Sequence, residues 1–143
     1  MAIEVAYTAE AVATGDGRNG RTKTQDGVVD FALASPKEMG GSGEGANPEQ
    51  LFAAGYAACF HGALRKMAGE AKVDVTDSAV GVKTGIGKDT GDGGVGLTVT
   101  IEVVLPNVEK AQAEELAQKA NDFCPYSKAT RGNIDVEVVV TDD

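Results

Sequence analysis

Polar and apolar residues alternate along the first part of the chain. Residues 2–14, AIEVAYTAEAVAT, alternate with a period of two, which predicts a β-strand, and the glycine-rich connection GDGRNG follows. Two further stretches, RTKTQ and VVDFAL, flank Asp26-Gly27, a dipeptide typical of a two-residue hairpin turn. The next stretch, SPKEMGGSGEGA, has no periodicity and is predicted to be a loop.

A long helix is predicted from Asn47 to about Gly69. Asn47 is a good N-cap, the proline after it suits the first helical position, and Gln50 completes a capping-box pattern. Within LFAAGYAACF every residue is apolar or small, so the helix has no polar face and is expected to be buried on all sides. The small residues in its middle would let another backbone approach closely.

The rest of the chain combines a second hairpin with a second helix. Strands are predicted over residues 79–86 and over VGLTVTIEVVLP, with the turn cluster GKDTGDGG between them. VEKAQAEELAQKAND predicts an amphipathic helix, whose apolar positions include Val108, Ala111, Leu116 and Ala120. Pro125 ends this helix, a short helical turn can follow, and IDVEVVV is predicted to be the last strand. The order of elements favours one α+β domain over residues 1–143 with antiparallel sheet.

Charge and composition exclude several classes of function. The chain has 143 residues, 42% of them hydrophobic, and a net charge of −9, which repels nucleic-acid phosphates and anionic lipid. No stretch approaches the roughly 20 apolar residues of a membrane span, and the N-terminus lacks the basic and apolar regions of a signal peptide. We therefore expect a cytoplasmic protein that binds neither nucleic acid nor membrane.

The glycine-rich stretches and the single histidine are weak candidates for chemistry. GIGKDTG and GDGGVG lack the full fingerprint of a phosphate-binding loop, so a hairpin turn is expected there. His61 lies about 200° around the helix from Cys59, so the two cannot bind one ion, and no motif supplies further zinc ligands. We expect His61 to be structural or surface-facing, and we expect no metal or other cofactor.

The two cysteines, Cys59 and Cys124, lie 65 residues apart. In a reducing compartment two thiols are either small buried side chains or a redox couple. The helix pattern alone favours Cys59 as a core residue, since free cysteine is among the most buried residue types. Cys124 precedes Pro125 and is placed either at an ordinary helix end or as the N-cap of a helical turn, whose dipole would lower the thiol pKa.

Two longer motifs change the interpretation of these cysteines. NPEQLFAAGYAACF resembles the first cysteine motif of the organic hydroperoxide resistance proteins, within the OsmC/Ohr superfamily, and CPYSKATRGNIDV resembles the second. The order of elements also fits, so the resemblance covers essentially the whole chain. It implies that Cys59 is a peroxidatic cysteine and Cys124 a resolving cysteine. It also implies that Glu49 holds a catalytic arginine, which GRNG places at Arg18, with Arg21 as the alternative.

The resemblance implies a fold and a reaction. The fold is an intertwined homodimer with antiparallel sheets around two long central helices. The reaction is thiol-dependent reduction of organic hydroperoxides, including fatty-acid hydroperoxides, to alcohols through a Cys59 sulfenic acid and a Cys59–Cys124 disulfide. The implied reductant is a dithiol such as a dihydrolipoyl group, on a lipoylated protein or another carrier. The alternatives are a broader OsmC-type peroxidase and a non-enzymatic, redox-sensitive dimer that binds small molecules.

The residue types suit this chemistry. A peroxide is attacked by a thiolate, and burial in the middle of a helix would raise the pKa of Cys59. A guanidinium held by a glutamate is a natural remedy, because it stays charged and can donate hydrogen bonds to sulfur and to peroxide oxygen. Glu49 lies ten residues before Cys59, about 15 Å along a helix axis. Two such helices crossing near Ala54 would bring Glu49 of one subunit towards Cys59 of the other. This predicts a shared active site, unless a long loop lets Arg18 bridge the gap within one chain.

Overall fold

The structure, a computed structural model, describes residues 2–142 and has a mixed α+β fold. Within that range it contains two three-stranded sheets, three α-helices and two short 3-10 helices. The chain divides into two compact units, one ending at Leu51 and the other beginning at Phe52. The prediction of a single domain over residues 1–143 stays a prediction.

The first unit contains an antiparallel sheet with the strand order β1 (Ala11–Thr14), β2 (Arg21–Thr24) and β3 (Asp30–Ala32). The strand predicted over residues 2–14 is confirmed only for its last four residues. The prediction of a strand over residues 2–10 is wrong, because within residues 2–142 no strand pairs with this segment. Alternation of residue types does not form a strand without a pairing partner.

The hairpin predicted at Asp26-Gly27 is confirmed, but its loop is longer than two residues. The Thr24 N–H donates to the Val29 carbonyl at 2.8 Å, which leaves four residues inside the closing bond. The Asp26 carboxylate accepts from the Val28 N–H at 3.0 Å and from the Thr24 hydroxyl at 2.7 Å. These side-chain bonds stabilise the wider turn in place of a two-residue one.

The apolar side chains of this first sheet are poorly covered. Every residue of β1 and β3 is exposed, and Val12 and Phe31 keep 66% and 42% of their surface accessible. Val28, in the turn, is 82% exposed. Val12 pairs with Lys23 and Phe31 with Thr22, so the two side chains lie on opposite faces of the sheet, and each face is left with an exposed apolar group.

Helix α1 (Pro48–Glu70) begins with the predicted capping box. The Asn47 N–H donates to Gln50 Oε1 at 3.1 Å, and the Gln50 N–H donates to Asn47 Oδ1 at 2.8 Å. Two N–H groups that have no partner within the helix are thereby satisfied. The start of α1, which carries Glu49, is consequently fixed by the residue that precedes it.

The expectation that α1 is buried on all sides is wrong for the single chain. One face carries the fully buried Tyr56, Phe60 and Leu64, whereas Ala54 and Ala58 are exposed. Residues four apart lie on one face of a helix, so these two alanines belong to an uncovered stripe of small side chains. The apolar sequence of α1 therefore exceeds what one chain covers.

The second unit contains a sheet with the strand order β4 (Ala79–Lys88), β5 (Val95–Val104) and β6 (Val136–Thr141). Strands β4 and β5 form an antiparallel hairpin around the GKDTGDGG turn, as predicted. Strand β6 pairs with β5 in parallel, so the expectation of purely antiparallel sheet is wrong for this pair. Two helices lie between β5 and β6 in the sequence. This crossover carries the chain back to the end of the sheet at which β5 begins, so β6 runs in the same direction as β5.

Helix α2 (Lys110–Phe123) and the short helix α3 (Pro125–Thr130) form this crossover. The α2 side chains that enter the core are Ala113, Leu116, Ala117 and Ala120. The predicted apolar positions Leu116 and Ala120 are confirmed, but Ala111 is exposed because it lies outside this buried stripe. Val108 precedes the helix and packs against the core. Of the helices in residues 2–142, none combines the length and apolar character needed to cross a bilayer.

Candidate active site

The structure brings the two cysteine sulfurs of the second unit together. Cys59 lies in α1, Cys124 lies between α2 and α3, and their Sγ atoms are 3.5 Å apart as free thiols. A disulfide requires about 2.05 Å between sulfurs, so a shift of roughly 1.5 Å would close the bond. Cys124 is fully buried and Cys59 is partly exposed. An external reagent therefore reaches Cys59 first.

The environment of Cys59 disfavours its thiolate. Burial raises the pKa of the Cys59 thiol, the backbone N–H of Tyr126 lowers it, and the neighbouring Cys124 thiol raises it. The pKa of Cys59 lies above its ordinary value as a result. A thiolate at neutral pH would need a further positive group close to the sulfur.

Cys124 occupies the N-cap position of α3, as one of the two sequence interpretations held. Its backbone is extended, Pro125 fills the first helical position, and the Cys124 side chain makes no capping hydrogen bond. The backbone ends one helix and begins the next, because the Cys124 N–H donates to Ala120 and its carbonyl accepts from Lys128. The thiol is therefore left to contact Cys59.

Arg18 and Glu49 form a bidentate ion pair in the first unit. Arg18 Nη1 and Nη2 donate to the two carboxylate oxygens of Glu49, each at 2.9 Å. The hydrogen bond from Arg18 lowers the pKa of Glu49, and the same bond raises the pKa of Arg18 above its ordinary value. The Glu49 side chain is 12% exposed and the Arg18 side chain 43%, so the guanidinium keeps an accessible side. This two-bond geometry orients a guanidinium more strictly than a single contact.

The Arg18 loop has a conformation set by its neighbours. Arg18 lies in a 3-10 turn (Gly17–Asn19) between β1 and β2, and the Asn19 side chain accepts the Ser35 N–H at 3.0 Å. A Cβ at Gly20 would collide with the carbonyl oxygen of Thr14, so this position needs glycine. The GRNG sequence thus specifies a tight turn with the arginine at its tip.

Arg21, the alternative catalytic arginine, has a different partner. Its Nε donates to Asp30 Oδ1 at 2.7 Å, and the two residues lie on the neighbouring strands β2 and β3. Glu49 is bound by Arg18 and not by Arg21 in this structure. The assignment of the catalytic role to Arg18 stays a prediction.

His61 has a structural contact. Its Nε2 lies 2.9 Å from the Ser78 hydroxyl, which joins α1 to the turn before β4. Within residues 2–142 no group of three or more histidine, cysteine or acidic side chains is arranged to hold a metal ion.

Sequence reasoning missed several residues that contact the cysteines or their helices. The backbone N–H of Tyr126 lowers the pKa of Cys59, and a Cβ at Gly55 would lie 3.2 Å from the Tyr126 hydroxyl oxygen. Ser127 and Thr130 continue the buried stripe that begins at Cys124, at intervals of three residues. Polar residues at the inward positions of a short helix are the sequence signal that could have identified this cluster.

The chain resembles known proteins over almost its whole length. The family model described as OsmC-like protein matches residues 41–139. An organic hydroperoxide resistance protein of Xanthomonas axonopodis pv. citri is 46% identical over 138 residues, which are 96% of each chain. The organic hydroperoxide resistance protein OhrB of Bacillus subtilis is 46% identical over 132 residues, 92% of this chain and 96% of that one.

Solved structures agree with these relatives. The crystal structure of an organic hydroperoxide resistance protein from Elizabethkingia anophelis matches with a TM-score of 0.91 at 44% identity, covering 99% of this chain and all of that one. A crystal structure of an organic hydroperoxide resistance protein from Legionella pneumophila matches with a TM-score of 0.90 at 41% identity. It covers 96% of this chain and 99% of that one. With a family model over most of its length and relatives this similar, the chain belongs to the OsmC-like family, alongside the organic hydroperoxide resistance proteins.

Proposed function

We propose that this protein is a cysteine-based peroxidase that reduces organic hydroperoxides, including fatty-acid hydroperoxides, to alcohols. The observation that carries the proposal is the 3.5 Å contact between the sulfurs of Cys59 and Cys124. Its relatives named organic hydroperoxide resistance proteins imply a role in resistance to these compounds. A partly exposed thiol beside a buried one suits a two-step thiol mechanism.

The first step is attack by the Cys59 thiolate on one peroxide oxygen. A sulfur–oxygen bond forms, the O–O bond breaks, and the alkoxide leaves and takes up a proton to give the alcohol. In the second step Cys124 attacks the sulfenic sulfur of Cys59, the S–O bond breaks, and the hydroxyl leaves as water with the Cys124 proton. A dithiol, such as a dihydrolipoyl group, then reduces the disulfide by exchange and is itself oxidised to a disulfide.

Arg18 and Glu49 would provide the positive charge that Cys59 needs. The burial that raises the Cys59 pKa leaves most of this thiol protonated at neutral pH unless a cation lies close to it. Arg18 stays charged, and the Glu49 carboxylate fixes its guanidinium in one orientation. In the proposed mechanism the guanidinium donates hydrogen bonds to the thiolate and to the peroxide oxygens.

The proposed active form is a homodimer. The uncovered apolar side chains of the first sheet and the exposed Ala54 and Ala58 of α1 are surfaces that a second copy of the chain would bury. Ten residues separate Glu49 from Cys59 on one continuous helix, about 15 Å along its axis. An antiparallel crossing of two α1 helices would let Arg18 and Glu49 of one subunit serve Cys59 of the other.

Subunit mixing tests the shared site. We expect Cys59→Ser and Glu49→Gln dimers each to be inactive or nearly so. After unfolding and random remixing, half of the dimers are mixed and each contains one intact site. About a quarter of the full activity should therefore return. If mixed dimers form and no activity returns, each site lies within one chain.

Mass spectrometry after one equivalent of cumene hydroperoxide tests the function itself. We expect rapid loss of the peroxide and formation of a Cys59–Cys124 disulfide in stoichiometric yield, since the sulfurs already lie in contact. Hydrogen peroxide at the same concentration should react more slowly, because apolar residues surround the cysteines. Unchanged thiols after many minutes, with the peroxide intact, would contradict the peroxidase proposal.

A further inference from the structure

A buried group of three hydroxyls joins the two helices that carry the cysteines. Tyr56 of α1 lies with its Oη 2.8 Å from Ser127 Oγ and 3.1 Å from Thr130 Oγ1, both on α3. The three residues are 0%, 3% and 5% exposed, so water does not compete for their hydrogen bonds. We refer to Tyr56, Ser127 and Thr130 as the hydroxyl network.

The protons of the hydroxyl network have one consistent arrangement. The Thr130 hydroxyl donates to the Ser127 carbonyl at 3.2 Å. Each hydroxyl carries a single proton, so all three contacts are hydrogen bonds at once when Tyr56 donates to Thr130 and Ser127 donates to Tyr56. Every proton is used once, and removal of any one hydroxyl leaves a buried group without its partner.

The hydroxyl network lies close in sequence to both thiols. Tyr56 precedes Cys59 by three residues, which places both on the same side of α1. Ser127 and Thr130 follow Cys124 by three and six residues, and Cys124 is the N-cap of α3. The network therefore joins the same two elements that bring the sulfurs together.

Apolar packing between α1 and α3 is less directional than the hydroxyl network. The Tyr126 ring packs against Tyr56 with centroids 5.7 Å apart, and apolar packing of this kind tolerates sliding. Helix α3 has six residues, too few to be stable without tertiary contacts. Disulfide formation, in contrast, requires both a defined S–S distance and a defined torsion angle. Hydrogen bonds supply the orientation that the packing lacks.

We propose that the hydroxyl network is a positioning device that holds Cys124 within reach of Cys59 and sets the rate of the disulfide-forming step. Tyr56, Ser127 and Thr130 are positioning residues: they act through the placement of α3 and take no part in the attack on peroxide. The consequence for peroxide reduction rests on the proposed function. A loosened α3 would leave the Cys59 sulfenic acid longer unresolved and open to oxidation by a second peroxide.

The test variant is Tyr56→Phe, which removes one hydroxyl and keeps the ring. With one equivalent of cumene hydroperoxide we expect peroxide loss within about twofold of the parent. Disulfide formation should slow about five- to tenfold, the size expected for loss of one or two buried hydrogen bonds. With excess peroxide, the fraction of Cys59 that reaches sulfinic acid should rise accordingly. Equal slowing of both steps, or an unchanged disulfide rate, would overturn the proposal.

Thr130 offers a matched pair of controls. Thr130→Val keeps the shape and removes the hydroxyl, so it should slow disulfide formation as Tyr56→Phe does. Thr130→Ser removes a methyl group and keeps the hydroxyl, so it should retain the parent rate. If the two variants behave alike, packing and not hydrogen bonding positions Cys124.

Ellman's reagent separates this proposal from the peroxidase proposal. Cys59 attacks the reagent and releases one aromatic thiolate, and Cys124 then attacks the mixed disulfide and releases the second. The second release is intramolecular and needs no peroxidase activity. It should be five- to tenfold slower in Tyr56→Phe, with the first release unchanged. An unchanged second release would overturn the positioning role even in a chain that reduces peroxide.

Discussion

Replacement of Cys59 by serine is expected to abolish organic hydroperoxide reduction. A serine hydroxyl is a weak nucleophile without an adjacent base, and the Cys124 thiol is fully buried. Removal of an enzyme's nucleophile typically lowers its rate by about 10⁴-fold or more. We therefore expect the consumption of cumene hydroperoxide, followed with a dihydrolipoyl reductant, to fall to the uncatalysed rate.

Cys124→Ser is the matched control for this prediction. This variant removes the other thiol of the pair and keeps Cys59. Cys59 should still reduce one equivalent of peroxide and form a sulfenic acid, which a diketone probe would trap. Repeated exposure should then convert Cys59 to sulfinic acid, because no thiol remains within 3.5 Å to resolve it. Normal dithiol-dependent turnover in Cys124→Ser would contradict the resolving role, and turnover in Cys59→Ser would contradict the whole mechanism.

Arg18→Ala is expected to slow peroxide reduction by about 10²-fold or more at neutral pH. In the proposed site Arg18 is the positive neighbour of the Cys59 thiolate, so its loss favours the neutral thiol, and the pKa of Cys59, already raised by burial, should rise further. Alkylation of Cys59 by iodoacetamide should accordingly begin at higher pH. Raising the pH should restore alkylation but not full peroxide reduction, since in the proposed mechanism the guanidinium also donates to the developing charge on oxygen.

Arg21→Ala provides the comparison for Arg18→Ala. Arg21 makes a salt bridge of 2.7 Å to Asp30, so both variants remove a paired arginine from the first unit. The alkylation profile and the peroxide rate of Arg21→Ala should stay within about twofold of the parent, because a surface ion pair of this kind contributes little. A larger effect for Arg21→Ala than for Arg18→Ala would transfer the catalytic role to Arg21.

The acid side of the pH profile follows from the Glu49 pKa. The hydrogen bonds that Arg18 donates to the Glu49 carboxylate hold the pKa of Glu49 below its ordinary value, which is near 4.3 for glutamate. The carboxylate therefore keeps its charge to a lower pH than an ordinary glutamate does. The contribution of the pair to stability is present above the unfolded pKa and is lost as the pH falls through the lower folded pKa. Between neutral pH and about 5, the rate should therefore follow ionisation of Cys59 and not that of Glu49.

Local signals in the sequence predicted most of the elements. The capping box at Asn47 and the hairpin around GKDTGDGG each depend on residues close together in the sequence, and the structure confirms them. The wrong predictions depended on partners distant in the sequence. Residues 2–10 alternate like a strand but form no strand pairing within the described chain, and β6 is parallel because of the crossover before it.

In the candidate site, too, the sequence indicates local features better than contacts between residues that are distant in the sequence. The motifs selected Cys59, Cys124, Glu49 and Arg18, whose catalytic roles stay predictions, and in the structure these residues form two contacting pairs. No periodicity in the sequence indicates that Tyr56 bonds to residues more than 70 positions away, since that contact exists only after α3 packs on α1. Long-range hydrogen bonds of buried side chains are set by packing, and local pattern carries little information on them.

The parallel pairing of β5 with β6 is one of the long-range contacts that are expected to form late in folding. Val99 pairs with Val136, and the segment between them includes Cys124. A crossover of this length must lose its conformational entropy before the strand pairing offsets that loss, so such contacts form slowly. The hairpin of β4 and β5 and the long helix depend on local contacts and form sooner. The contact between Cys59 and Cys124 joins residues 65 apart, so it too belongs among the contacts expected to form late.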